Sequence, residues 1–90
     1  QTEYKALLAG LLTCVVQGFD HIECRLDSEL VVRQLNGEYK IKDNELKVLA
    51  SQVNKTVARF SQVTFVHVNR SSNDQADNLA NEILDFRNKG

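Results

Sequence analysis

Apolar residues recur with two different spacings in the first half of the chain, and each change of spacing marks the boundary of an element. Residues 2–17 carry apolar side chains three or four positions apart, which predicts a helix. Residues 21–26 alternate between apolar and polar side chains, which predicts a strand, and residues 28–35 return to helical spacing. The apolar face of the first helix comprises Tyr4, Leu7, Leu8, Leu11, Leu12, Val15 and Val16, and that of the second comprises Leu30, Val31 and Leu35.

The second half of the chain repeats this change of spacing. Asp43 or Asn44 is suited to begin a longer helix that we expect to run through Phe60. Residues 61–68 alternate as a second strand, and a last helix is predicted to begin near Asp74. The apolar side of this last helix comprises Ala76, Leu79, Ala80, Ile83 and Phe86, and Arg87 and Lys89 suit its negative end.

The predicted order is helix, strand, helix, helix, strand, helix, which indicates one α/β domain over residues 1–90. Strands joined by helical crossovers pair in parallel, so the two strands should lie side by side. Two parallel strands make a poor sheet and leave an apolar edge free. We therefore expect either that a preceding set of strands is absent, as the start on Gln1 favours, or that the edge pairs with a partner in a homodimer or by strand exchange.

Composition excludes little. The net charge of −1 gives no overall basic field, so any nucleic-acid contact must come from local groups such as Lys40, Lys42 and Lys47. Cys14 and Cys24 have no metal-like spacing and are interpreted as small core residues of a reducing compartment. Since no apolar stretch is long enough for a membrane span and no signal segment opens the chain, we expect a cytoplasmic or nuclear location.

Three acidic residues stand where the predicted helices begin. Asp27 follows the last residue of the first strand, and α/β folds gather their chemistry at the carboxyl ends of strands. Glu3 and Asp77 fall in the first turns of the first and last helices. If these carboxylates converge, they suit a metal site. The alternative is that each only stabilises a helix start, by about 0.3 to 1 kcal/mol.

Other polar residues lie near the same strand ends. His67 at the end of the second strand could serve as an acid or base, although such a histidine more often only packs there. Arg70 and Asn73, in the loop before Asp77, could hold a phosphate or could belong to an ordinary solvated loop. Lys40 and Lys42 lie in a predicted connecting loop.

Three ordered blocks of the chain resemble the ribonuclease HI family, in particular its compact members without a basic protrusion. The blocks are Gln1-Thr2-Glu3-Tyr4-Lys5-Ala6-Leu7-Leu8-Ala9-Gly10-Leu11; Asp27-Ser28-Glu29-Leu30-Val31-Val32 with Leu35-Asn36-Gly37-Glu38-Tyr39-Lys40; and His67-Val68-Asn69-Arg70 with Asn73-Asp74-Gln75-Ala76-Asp77-Asn78-Leu79-Ala80-Asn81. The resemblance implies a five-stranded mixed sheet, in which an antiparallel three-stranded meander precedes the elements predicted here.

The resemblance also implies an activity. Family members bind two Mg²⁺ ions, with Mn²⁺ as a substitute, on four carboxylates and cut the RNA strand of RNA/DNA hybrids. By position, Glu3, Asp27 and Asp77 resemble three of the family's catalytic and metal-binding acids, and the resemblance implies that the fourth acid belongs to a first strand that these 90 residues do not include. The residues expected to contact the hybrid are Gln34, Asn36, Lys40, Lys42, Arg70 and Asn73, with His67 in a secondary position.

Because one ligand of both ions is missing, we expect these 90 residues alone to have little or no nuclease activity. A catalytically silent module that binds nucleic acid or mediates assembly is the main alternative. A small α/β domain with no nucleic-acid role is a third reading.

Overall fold

The computed structural model describes residues 2–69 and 79–87. The elements are α1 (Thr2–Gln17), β1 (His21–Leu26), α2 (Glu29–Leu35), α3 (Asn44–Val57), β2 (Gln62–His67) and β3 (Glu82–Asp85). The first five confirm the predicted order, and only α3 is clearly shorter than expected, ending at Val57 rather than at Phe60. No helix in the described part of the chain has the length and apolarity that crossing a bilayer requires.

Local side-chain chemistry explains where α2 and α3 begin and where α2 ends. Ser28 Oγ accepts a hydrogen bond of 3.3 Å from the backbone N–H of Val31, and Asp43 Oδ1 accepts one of 3.1 Å from Leu46. At the end of α2, Gly37 has a φ of +80°. The N–H of Gly37 donates to the carbonyl of Gln34, and that of Glu38 donates to Arg33, so the chain turns sharply out of the helix.

The three strands in the described part of the chain are parallel, and their order in the sheet is β2-β1-β3. β1 is the central strand, and residues 22–26 are all buried. Its pairing with β2 runs from His21 opposite Gln62 to Leu26 opposite His67. The expected parallel pairing of the two predicted strands is therefore confirmed.

The hydrophobic core lies on one face of the sheet, between the strands and the helices. Its fully buried members include Leu7, Leu11 and Cys14 of α1, Cys24 of β1, and Val53 of α3. Both cysteines are buried free thiols, as expected. Three residues assigned to the apolar faces of the first two helices are instead exposed, because the helix surface that meets the sheet is narrower than the apolar stripe: Leu12, Val16 and Leu30.

The prediction of a last helix is wrong for residues 82–85, which form β3. β3 pairs with the edge of β1 that β2 leaves open, from Ile22 opposite Glu82 to Arg25 opposite Asp85. Because a buried strand edge leaves N–H and C=O groups without partners, pairing outweighs the local helical preference of this segment. The predicted helix start, residues 74–78, lies outside the described residues.

Candidate active site

The carboxyl end of β1 carries Asp27 and lies beside His67 of β2. Leu26 is the last residue of the strand, and its carbonyl accepts a hydrogen bond of 2.9 Å from the N–H of Val68 just beyond β2. This bond holds the ends of β1 and β2 together. Asp27 follows directly, is half-buried, and stands between the end of β1 and the Ser28 cap of α2. Asp27 is therefore fixed from both sides by regular structure.

Glu3 lies in the first turn of α1 with an exposed side chain. Its neighbour Tyr4 is 1% exposed, and the Tyr4 hydroxyl donates a hydrogen bond of 2.9 Å to Oε1 of Gln34 on α2. Burial raises the pKa of Tyr4, so the phenol remains a donor at neutral pH. This contact ties the start of α1 to the helix that follows Asp27.

Gln34 and Asn36, two of the residues expected to contact a substrate, lie at the carboxyl end of α2. Tyr4 occupies Oε1 of Gln34, and the amide nitrogen of Gln34 makes no hydrogen bond to any part of the chain that the structure describes. Asn36 caps the carboxyl end of α2 and is exposed. Both side chains can therefore offer amide donors to a ligand.

Lys40 and Lys42 are exposed in the segment that links α2 to α3, which contains no helix or strand, as predicted. The segment leaves α2 past Tyr39, whose ring stacks at 5.4 Å from the guanidinium of Arg33. Arg33 also approaches Glu29 at 3.7 Å. These contacts hold the start of the segment against α2 while the two lysines remain in solvent.

His67 ends β2, lies beside Leu26 in the register, and is exposed. Arg87 also lies at this edge of the sheet, although the sequence predicted it at the end of a helix. Arg87 follows β3, binds Asp85 at 2.6 Å, and donates at 3.3 Å to the carbonyl of Asn69 beyond β2. No local pattern could have located Arg87 there, because the helical spacing around it indicated a helix end.

The structure describes only part of the predicted metal-binding set. Arg70, Asn73 and Asp77 lie outside the described residues. Within residues 2–69 and 79–87, no three His, Cys, Asp or Glu side chains gather as they would around a metal ion. Glu3 and Asp27 are the members of the predicted set that can be located, so the described part does not by itself form the complete site.

The two thiols are not candidates for catalysis. Burial, with smaller contributions from Cys14 and Glu23, raises the pKa of Cys24 to about 12. Burial and the carboxylate of Glu82 raise the pKa of Cys14. Since the thiolate is the reactive form, neither cysteine is an activated nucleophile.

A family profile described as reverse transcriptase-like matches residues 1–83. Among curated proteins, ribonuclease HI of Halobacterium salinarum is 41% identical over 85 residues, which is 94% of this chain and 43% of that protein. The chain belongs to the ribonuclease H-like family. The ribonuclease HI resemblance inferred from the sequence is thereby confirmed.

Solved ribonuclease H structures share the fold of this ribonuclease H-like chain. Ribonuclease H1 of Halobacterium salinarum superposes with a TM-score of 0.74 at 39% identity, covering 88% of this chain and 60% of that one. The N-terminal ribonuclease H domain of a Mycobacterium tuberculosis protein, solved as a fusion with maltose-binding protein, gives 0.73 at 36% identity, covering 87% and 56%. The structure of LC11 ribonuclease H1 in complex with an RNA/DNA hybrid gives 0.70 at 34%, covering 88% and 61%.

The α/β, ribonuclease H-like fold class predicted from the sequence is confirmed by these structures, with the last helix as the point of difference. A bifunctional protein of Mycobacterium tuberculosis is also similar, with 36% identity over 92% of this chain and 23% of that protein. The chain therefore spans less than half the length of either curated relative. The activities of these relatives as whole proteins are therefore not established for this chain by the likeness alone.

Proposed function

We propose that the chain is the part of a ribonuclease H-type hydrolase that presents Glu3, Asp27 and Asp77 to the RNA strand of an RNA/DNA hybrid. The observation that carries this proposal is the position of Asp27, half-buried at the carboxyl end of the central strand. The likeness to a ribonuclease H1 solved with a hybrid supports the choice of substrate.

Carboxylate oxygens are the donors that Mg²⁺ and Mn²⁺ prefer, so the chemistry of Glu3 and Asp27 fits divalent ions, with Asp77 as a third ligand. When bound, such ions activate a water for attack on phosphate and stabilise the departing 3′ oxygen. The role of this chain is to fix the positions of its carboxylates. Asp27 is held between a strand end and a capped helix, and the Tyr4–Gln34 hydrogen bond anchors the helix turn that carries Glu3.

The hybrid is proposed to lie across the carboxyl end of the sheet and the end of α2. Gln34 and Asn36 supply amide donors suited to 2′-hydroxyl groups in the shallow minor groove, which is where proteins recognise A-form helices. Lys40 and Lys42 extend from the next segment toward the phosphate backbone. Arg70 and Asn73 are proposed to contact phosphate before Asp77. With a net charge of −1, binding should be weak and sensitive to salt.

The test is a cleavage assay with labelled RNA annealed to DNA, in Mg²⁺ and with a chelator. We expect at most slow cleavage by these 90 residues, because the fourth carboxylate implied by the family resemblance is not among them. Asp27→Asn should abolish what remains. Glu45→Gln, which changes an exposed acid in the first turn of α3, is the matched control and should have no effect.

Each outcome bears on a different part of the proposal. Cleavage that survives Asp27→Asn would show that the site has been misplaced. Fast cleavage that Asp27→Asn removes would keep the site but refute the expectation of weak activity. Hybrid binding that Mg²⁺ does not strengthen, together with no cleavage, would favour a catalytically silent binding module.

A further inference from the structure

A groove of about 590 Å³ lies along α3, between the helix and Ile41 of the segment that precedes it; we call it the α3 groove. Ala50, Asn54 and Ala58 line it and follow one another at four-residue intervals, so they lie on one face of the helix. Two of these three side chains are single methyl groups. The helix surface is therefore low along this face, and an extended ligand can approach it closely.

The charged side chains of the α3 groove are both cations. Among the described residues that line it, Lys47 and Lys55 are the charged ones, and neither forms an ion pair with another described residue. Eight residues separate them, which is about 12 Å along a helix axis. Ser51 and Asn54 lie between them, are exposed, and can donate hydrogen bonds. Two separated cations with donors between them complement a chain of phosphates better than a single anion.

The α3 groove leads away from the carboxyl end of the sheet. α3 follows the segment that carries Lys42, and residues 58–61 join its last turn to the start of β2. Because β1 and β2 are parallel and in register, the start of β2 lies at the opposite end of the sheet from Asp27. A strand that leaves the carboxyl end of the sheet along this segment therefore meets Lys47 before Lys55.

We infer that the α3 groove binds a single strand of nucleic acid that extends beyond the paired part of an RNA/DNA hybrid. This inference rests on the proposed function, because the strand reaches the groove from a hybrid held at the carboxyl end of the sheet. A single strand can enter the groove and follow it, whereas a stiff duplex presents its phosphates on a convex surface. Lys47 and Lys55 pair with phosphates, Asn54 donates to the backbone, and Ile41 offers an apolar contact to a base. Backbone contacts carry no sequence information, so binding should tolerate any sequence.

The test measures the fluorescence anisotropy of labelled RNA/DNA hybrids that share one paired sequence. One hybrid is blunt, and two others carry a thymidine extension of about ten nucleotides at either end of the DNA strand, a length within the range that single-strand-binding folds cover. We expect the extension at one of the two ends to tighten binding. Each phosphate contact of a single strand contributes about 0.7 to the slope of log K against log salt. Lys47→Gln and Lys55→Gln should therefore each lower the slope for that extended hybrid by about 0.7.

Arg59→Gln is the matched control, since Arg59 is an exposed cation just beyond α3 that does not line the groove. It should leave the slope unchanged. Because both lysines are exposed, their substitution should also leave the midpoint of urea unfolding unchanged. A gain from the extension that survives both lysine substitutions would overturn the inference, and so would an extended hybrid that binds no better than the blunt one. Competition by an acidic peptide but not by a free thymidine oligonucleotide would overturn it as well, by showing a peptide site.

Failure of the proposed function gives a different result from failure of this inference. Asp27→Asn should remove the effect of Mg²⁺ on hybrid binding but keep the gain from the extension, because the α3 groove lies away from Asp27. If the blunt hybrid binds no better than a DNA duplex, while the free thymidine oligonucleotide still binds through Lys47 and Lys55, the hybrid assignment fails and the single-strand site stands.

Discussion

A buried ion pair between Glu23 and Arg25, on the face of β1 opposite the hydrophobic core, gives the sharpest prediction about stability. Nε of Arg25 donates to Oε2 of Glu23 at 2.6 Å, with the two side chains 9% and 7% exposed. Nη2 of Arg25 is buried and makes no hydrogen bond. Replacing Glu23 by Met removes the carboxylate that Arg25 contacts and leaves the buried guanidinium without this partner. Breaking a buried pair in this way costs about 3 to 5 kcal/mol.

That loss is large for a domain of this size, whose total stability should be roughly 5 to 15 kcal/mol. Glu23→Met should therefore lower the melting temperature by about 4–8 °C for each kcal/mol lost. The double variant Glu23→Met/Arg25→Met should recover most of the loss, because replacing both charges by apolar groups is often close to neutral. Urea unfolding followed by circular dichroism measures all three proteins.

The comparison of single and double variants decides whether the pair is as important as its burial implies. A cost below about 1 kcal/mol for Glu23→Met would be the value of an exposed pair. It would mean that water reaches Arg25 and that this face of the sheet is open. A double variant as unstable as the single one would show that Arg25 stabilises the sheet by packing rather than by its charge.

Four further predictions follow from local contacts. Ser28→Ala should cost about 1 kcal/mol by removing the cap of α2, whereas Ser51→Ala on the exposed side of α3 should cost little, both measured by urea unfolding. Gly37→Ala should cost about 1 to 2 kcal/mol because φ there is +80°, and an unchanged midpoint would contradict that reason. The raised pKa of Cys24 means that its thiol ionises more readily in the unfolded chain than in the folded one. The free energy of unfolding should therefore be highest below about pH 9 and fall between pH 9 and pH 12, and Cys24→Ala should weaken this fall. Tyr4→Phe should keep the fold but weaken hybrid binding as much as Gln34→Ala does; a normal affinity would show that the Tyr4–Gln34 bond does not position the site.

The elements with strong local signals could be predicted from the sequence. Ser28, Asp43 and Gly37 mark helix boundaries through interactions within a few residues, and β1 shows its alternation without reference to the rest of the chain. Residues 79–86 carry no such decisive signal. Leu79, Ile83 and Phe86 fit one face of a helix, whereas Leu84 and Phe86 fit one face of a strand, and the open edge of β1 decides between them.

The same distinction applies to the candidate site. The position of Asp27 at a strand end could be predicted because it depends on the adjacent strand and helix. The Tyr4–Gln34 hydrogen bond joins residues on different helices, and the contact between Arg87 and Asn69 depends on β3. Contacts of this kind arise from tertiary packing, which hydrophobic spacing does not encode.

The most direct test of the central claim measures hybrid binding as a function of Mg²⁺ by fluorescence anisotropy. A labelled RNA/DNA hybrid is titrated with the chain and with Asp27→Asn, and a DNA duplex of the same sequence serves as the competitor. We predict that the chain prefers the hybrid, that Mg²⁺ strengthens its binding, and that Asp27→Asn removes the effect of Mg²⁺ while leaving the residual affinity. Equal affinity for hybrid and DNA duplex, or a Mg²⁺ effect that persists in Asp27→Asn, would contradict the assignment of Asp27 to a metal-dependent ribonuclease H site.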